Sequence, residues 1–285
     1  MNGLAWMALA QVFFAGMNIC TRLGARSVNW TEVAAARFLV GGIMAAGLGW
    51  VRGSSLRVSD QPAAWRRSIY GTLAAICTFY ALASSRIALG DAATLGGTAP
   101  IFVVLFARPL LGERVSTAEL LAVALGFTGI VAVVRPTFGL AGPVAAIATA
   151  GAVFWALAMI WLRKIGPGET HEAVVLHFSL VALLCFIVLA LPRWRWPSWN
   201  DSVFLLGAGL GGGLGQVTMT RAYSLHRAAP VSALSGLGLV LTYALALPVF
   251  GDRPTVWQVC GSLLVVGASV LLALRHDPSE AAVRA

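Results

Sequence analysis

The chain has 285 residues, 59% of them hydrophobic and 11% charged, and a formal net charge of +9. Soluble domains carry about 25% charged residues, so this composition excludes an ordinary water-soluble fold and makes lipid the solvent for most of the surface. The excess charge is arginine, Lys164 being the single lysine; these arginines stand singly or in pairs between apolar runs, which fits anchoring of helix ends at headgroups and excludes a nucleic-acid surface.

A bilayer core about 30 Å thick needs roughly 20 apolar residues per helix. Ten such runs follow one another, at residues 4–22, 32–51, 68–86, 91–111, 116–134, 139–162, 171–191, 202–225, 229–250 and 256–274. They are too long, and too uniformly apolar, to be strands, and in lipid a helix satisfies its own backbone. An all-α membrane protein of ten transmembrane helices is therefore predicted. The first run reads as the first span, since no small-residue cleavage site follows it.

In the first span Gln11 and Asn18 are seven apart and share one helix face, with Phe14 between them. Polar groups inside a span are costly unless they face protein or a watery cavity, so these are candidate substrate contacts. Arg37 lies a third of the way into the second span. Two readings fit it: a bidentate hold on a substrate carboxylate, or snorkelling to the interface. The link 52–67 is the most basic of the connections. The third span carries Thr78, Tyr80 and Ser84, and the fourth Thr94, Thr98 and a mid-span Pro100, which frees the carbonyl of Gly96 and predicts a kink or hinge. A polar break, Gly112-Glu113-Arg114, precedes the fifth span.

Trp155 in the sixth span is the counterpart of Phe14. The seventh carries His171 and His177, six apart and so not on a common face for a metal. Trp194, Trp196 and Trp199 in the next link fit an interfacial aromatic belt. The eighth span holds Gly207, Gly209, Gly211, Gly212, Gly213 and Gly215, without the G-K-[ST] ending of a phosphate loop; close helix packing and a bendable, gating helix at Gly212 and Gly213 both fit. The same span carries Gln216, Thr218, Thr220 and Tyr223, and the ninth Ser232, Ser235 and Tyr243. The substrate set read from the chain is thus Gln11, Phe14, Asn18, Tyr80, Thr94, Thr98, Trp155, His177, Gln216, Ser235 and Tyr243. For the hydroxyls, bonding to their own backbone or to a neighbouring helix is the competing reading. Cys20, Cys77, Cys185 and Cys260 lack C-x-x-C spacing, so no disulfide, metal or cofactor is expected.

The chain repeats itself. Gly251-Asp252-Arg253 falls 139 residues after Gly112-Glu113-Arg114, and Pro248 falls 139 after Pro109. The run from Glu32 to Phe38 resembles that from Glu172 to Phe178, and Val12 to Ala15 resembles Val153 to Ala156. Each copy holds five spans. Five is odd, so the second copy is inverted, as in many carriers whose site lies between the halves. The predicted division is 1–135, 136–275 and a tail at 276–285. Arginine and lysine counts of twelve against eight place both termini on the cytoplasmic side.

The same landmarks carry a family resemblance. The stretch 92–134, with Pro100, Gly112-Glu113-Arg114 and the glycines 126 and 129, resembles the EamA type of the drug/metabolite transporter superfamily, as does Ala34-Ala35-Ala36-Arg37-Phe38-Leu39. The second copy departs from it with Leu239 in place of Pro100 and Asp252 in place of the glutamate. The resemblance implies an inner-membrane carrier of two five-helix repeats. It also implies a central cavity ringed by spans one, three, four, six, eight and nine, and export of amino acids or other small metabolites.

Amides, hydroxyls, Trp and Tyr without a deep carboxylate suit a neutral or aromatic zwitterion. Drugs, nucleosides or purines are the alternative substrates, and a non-transporting scaffold or sensor the alternative class. An enzyme is not expected, as no acid–base pair can meet at depth. The absence of mid-span carboxylates predicts a facilitator or exchanger without a strong proton relay. The expected partners are a small-molecule substrate and membrane lipid, with a monomer or dimer as the assembly.

Overall fold

The computed structural model describes residues 2–25, 27–83, 95–112, 115–134, 142–250 and 255–274. Among them there is no strand. The α-helices are α1 (Gly3–Gly24), α2 (Trp30–Val51), α3 (Gln61–Ala83), α4 (Ala99–Leu111), α5 (Thr117–Val134), α6 (Gly142–Ile165), α7 (His171–Ala190), α8 (Trp199–Leu225), α9 (Ala228–Ala233), α10 (Leu237–Phe250) and α11 (Val256–Leu274). Five of them are long and apolar enough to cross a membrane by length and composition, and shorter apolar helices accompany them.

Local chemistry sets the ends. Asn2 caps α1 by accepting from the Ala5 amide at 2.9 Å. Asn29 does the same for α2 through Thr31. Ser198 and Asp201 form a reciprocal capping box at α8. Gly112 ends α4 at φ +70°, a left-handed conformation that glycine adopts without strain.

Two predicted spans are not continuous helices. In the fourth, residues 97–98 form a turn and α4 starts at Ala99, which puts Pro100 in its first turn rather than mid-helix. This corrects the mid-span kink: a proline lacks the N–H that a first-turn residue leaves unbonded anyway, so it starts the helix. In the ninth span a 3-10 turn at Leu234–Gly236 separates α9 from α10. Adding 139 to residues 97–98 gives 236–237, so the two breaks are repeat-equivalent. The second occurs where Leu239 replaces the proline, so the break belongs to the repeat and not to Pro100 alone. The breaks meet at a narrow cleft of about 10 Å³ lined by Gly97, Pro100 and Ile101 on one side and Ala233 and Gly236 on the other, room for about one water.

The packing pattern exchanges the two copies. α1 lies along α8 and α3 along α6; α2 pairs with α7 and α5 with α11. Equivalent helices run oppositely: the start of α1 meets the end of α8, with Gly3 beside His226. The end of α6 reaches that same place, where Arg163 Nη1 donates to the carbonyls of Tyr223 and Ser224 at 3.1 Å each. The aligned Phe38 and Phe178 meet edge to face at 5.2 Å between ring centroids. The protein is an all-helical bundle of two inverted repeats.

The largest buried apolar cluster gathers at the end of the bundle where α1 begins. It joins Leu4 and Met7 of α1, Ala63 and Ala64 of α3, Ile160 of α6, Val174 of α7 and Met219 of α8. Polar contacts tie the same end. His171 and Ser224 are 3.1 Å apart, Arg52 pairs with Glu172, and Glu169 accepts from the amides of Ser59 and Asp60 at 2.8 and 3.0 Å. Toward the opposite end Asn18, Thr78 and Tyr80 are exposed.

Candidate transport site in the repeat seam

The largest fully buried side chain among the described residues is one that sequence reasoning places elsewhere. The apolar runs place Arg67 in the basic link 52–67; α3 instead starts at Gln61, and Arg67 sits in its second turn, 1% exposed. Its Nη2 donates to Gln216 Oε1 at 3.0 Å. Its guanidinium lies over the Phe178 ring at 4.2 Å. Among the described residues, Nε and Nη1 of Arg67 and Nε2 of Gln216 have no hydrogen-bond partner. Gly71, one turn on, makes room for the side chain: a Cβ there would stand 2.3 Å from Nη1. Helix start and depth depend on tertiary packing, and the one sequence signal was an Arg-Arg pair abutting an apolar run.

Arg37 belongs to the same neighbourhood. Its Nε lies 2.8 Å from where a Cβ of Gly212 would be, and Gly212 is one turn before Gln216 on α8. Two arginines from α2 and α3 thus approach successive turns of one helix.

Of the predicted contacts, Gln11 and Gln216 are both buried at 5% and 4% exposure. Gln11 Nε2 reaches Met7 Sδ at 3.5 Å, and its Oε1 presses on Gly238 at the start of α10. Phe14 and Trp155 are half-buried and pack on the main cluster from the two copies; Phe14 fills the space over Gly215. Asn18 donates to Thr242 Oγ1 at 3.2 Å, bridging α1 and α10. Tyr80 is exposed. His177 Nδ1 is 2.8 Å from the Oγ of Ser68, the residue after Arg67, and its ring meets Trp65 edge on at 4.9 Å. Thr98 and Ser235 sit in the two helix breaks, each hydroxyl donating to a carbonyl three residues back at 2.6 Å. Thr94 lies outside the described residues, as does the side chain of Tyr243.

The glycine run of α8 packs. A Cβ on Gly211 would stand 2.9 Å from the Phe13 carbonyl oxygen of α1, and one on Gly213 would stand 3.0 Å from Gly41 Cα of α2. α8 runs unbroken through the run. Among the described residues no group of three or more His, Cys, Asp or Glu is placed to hold a metal.

The sequence profile of the EamA-like transporter family matches this chain twice, at residues 1–135 and 143–274. The chain belongs to the EamA-like transporter family. The double match agrees with the two packed copies, and the protein is a multi-pass membrane protein of that family. Relatives include the pseudopaline exporter CntI of Pseudomonas aeruginosa, 28% identical over 281 residues, 95% of each chain. The riboflavin transporter of Rhizobium johnstonii is 26% identical over 272 residues, 95% of this chain and 90% of the relative. Human solute carrier family 35 member G1 is 29% identical over 227 residues, 73% of this chain and 61% of the human protein's length. A solved crystal structure superposes with a TM-score of 0.83 at 20% identity, covering 96% of this chain and 98% of the other, which supports the fold alone.

Proposed function

We propose that this EamA-family protein is an inner-membrane secondary transporter that exports small metabolites, neutral and aromatic amino acids foremost, by alternating access along the seam between its repeats. The observation that carries the reading is the packing exchange of α1 on α8 with α3 on α6. It lays Gln11, Phe14, Trp155 and Gln216 along one seam. Two inverted copies with equivalent interfaces have two equivalent ways to open, which is the physical basis of alternating access. Both termini are cytoplasmic in this reading, so the buried cluster where α1 begins is the closed cytoplasmic gate, and the exposed Asn18 and Tyr80 face the outward entrance. Gly212 and Gly213 serve as packing points on which α8 pivots, and Pro100 as the edge of the α4 break. The domain division is 1–135 and 136–275, with 276–285 as a cytoplasmic tail, and the assembly is a monomer.

Drugs, nucleosides or purines form the second substrate reading, and relatives described as riboflavin and pseudopaline transporters favour keeping it. Counterflow into proteoliposomes tests both: labelled amino acids, nucleosides and riboflavin are offered to the wild type and to Trp155→Ala. Flux of at least one amino acid, reduced about tenfold or more by the substitution, is expected. A panel without flux sinks the proposal, and flux of nucleosides or riboflavin alone moves it to the second reading.

A further inference from the structure

We infer that Arg67, with the free amide nitrogen of Gln216, is a recognition site for a carboxylate of the transported solute. This rests on the transport reading above and deepens it by naming the group that the seam holds.

Arginine stays protonated in proteins, and a buried cation in a membrane protein is retained where it meets a partner, a cavity or a pathway. Arg67 is 1% exposed, with one hydrogen bond, to a neutral amide, and one ring beneath it. Neither partner carries a counter-charge. A purely structural arginine would have its remaining nitrogens bonded, because leaving a buried charge short of partners is strongly destabilising; here two of its three nitrogens are open. The neighbouring Gln216 is open as well, at Nε2, the donor end of its amide. The unmet capacity of this pair is donor capacity, which calls for an acceptor bearing negative charge. Among the described residues the buried carboxylates lie elsewhere: Glu119 pairs with Arg227 and Glu172 with Arg52, and Glu32, at the start of α2, accepts from the Arg195 amide at Oε1 and leaves Oε2 unbonded.

A carboxylate of the solute supplies the complementary charge. One carboxylate brings one negative charge to one guanidinium and matches its planar fork. The Gln216 amide adds a further donor. The Phe178 ring, with its centroid 4.2 Å from the guanidinium carbon, adds a cation–π contact and uses none of the hydrogen-bond donors. The site lies one turn along α8 from the place where Arg37 abuts Gly212, so an anion in the seam meets positive potential from two helices of the first copy, α2 and α3.

The test uses the full-length protein purified in detergent. Thermal unfolding is followed with L-phenylalanine, succinate, L-phenylalaninamide, inorganic phosphate and chloride at matched ionic strength. At least one of the two carboxylates is expected to raise Tm on the order of 3 °C above chloride, with no rise from the amide. Arg67→Gln loses the rise, and Arg67→Lys, which keeps the charge without the fork, binds about tenfold more weakly. Gln216→Glu keeps the protein folded if Arg67→Gln does not: its own carboxylate neutralises Arg67, so its ligand-free Tm goes up and its carboxylate response disappears. Equal responses to carboxylate and amide, no response to either carboxylate, a larger response to phosphate, or a Gln216→Glu protein that still responds would each overturn the assignment. Counterflow separates the two proposals. Flux without an Arg67-dependent preference for carboxylates removes the site and leaves transport. A carboxylate-dependent Tm rise without flux removes transport and leaves the site.

Discussion

A single Cβ decides several contacts in this bundle, because its helices approach through glycine. At Gly71 the added atom would stand 2.3 Å from Arg67 Nη1 and 2.8 Å from Phe178 Cε2. Gly71→Ala is therefore expected to destabilise by about 1–3 kcal/mol through overpacking, and to displace the guanidinium from Gln216. A lower Tm together with a weakened carboxylate response checks it, and an unchanged Tm would contradict the contact. Phe178→Ala removes a fully buried ring that packs on both Phe38 and Arg67. A loss of about 3–5 kcal/mol is expected, read as a fall in Tm. At this scale the amides Gln11 and Gln216 were legible in the sequence, since a mid-span amide must find protein. Arg67 was not: an Arg-Arg pair at the edge of an apolar run reads equally well as an interfacial anchor, and only the early start of α3 carries it inside.

Among the elements, α8 is the second-copy helix that the first copy leans on. It packs along α1 and α2, and its glycines bring their backbones close. Gly211→Ala would press on the Phe13 carbonyl, which as backbone cannot give way, whereas Gly47→Ala on α2 meets nothing within 4 Å. The pair separates propensity from packing. Alanine is worth up to about 1 kcal/mol over glycine within a helix, so Gly47→Ala is expected to hold or raise Tm and Gly211→Ala to lower it. Equal shifts would show that the run is not a packing surface. The glycine run left packing and bending equally open on sequence, because spacing shows how small the residues are and not what lies against them. The helix breaks teach the converse: Pro100 advertises one, yet the equivalent Leu234–Gly236 turn has no proline and was invisible from composition.

For the whole molecule, the buried cluster closes the end where α1 begins, while Asn18 and Tyr80 are exposed toward the other. In a background lacking the four native cysteines, a water-soluble maleimide is expected to modify Asn18→Cys and Tyr80→Cys and to spare Met7→Cys and Met219→Cys; modification of the last two at equal rates would contradict a closed end. The described buried carboxylates lie at helix ends, so counterflow is expected to proceed without stoichiometric proton movement, followed by a pH dye inside the liposomes. By itself the sequence determined the solvent, the helical class and the doubled, inverted plan. Lipid permits few backbone solutions, and a fixed offset of landmarks survives in any one-dimensional reading. The tertiary structure decided which polar groups meet. Depth along a helix and rotation about it depend on where each helix starts and what packs beside it, and that is how Arg67 leaves the interface for the seam while Tyr80 stays apart from it.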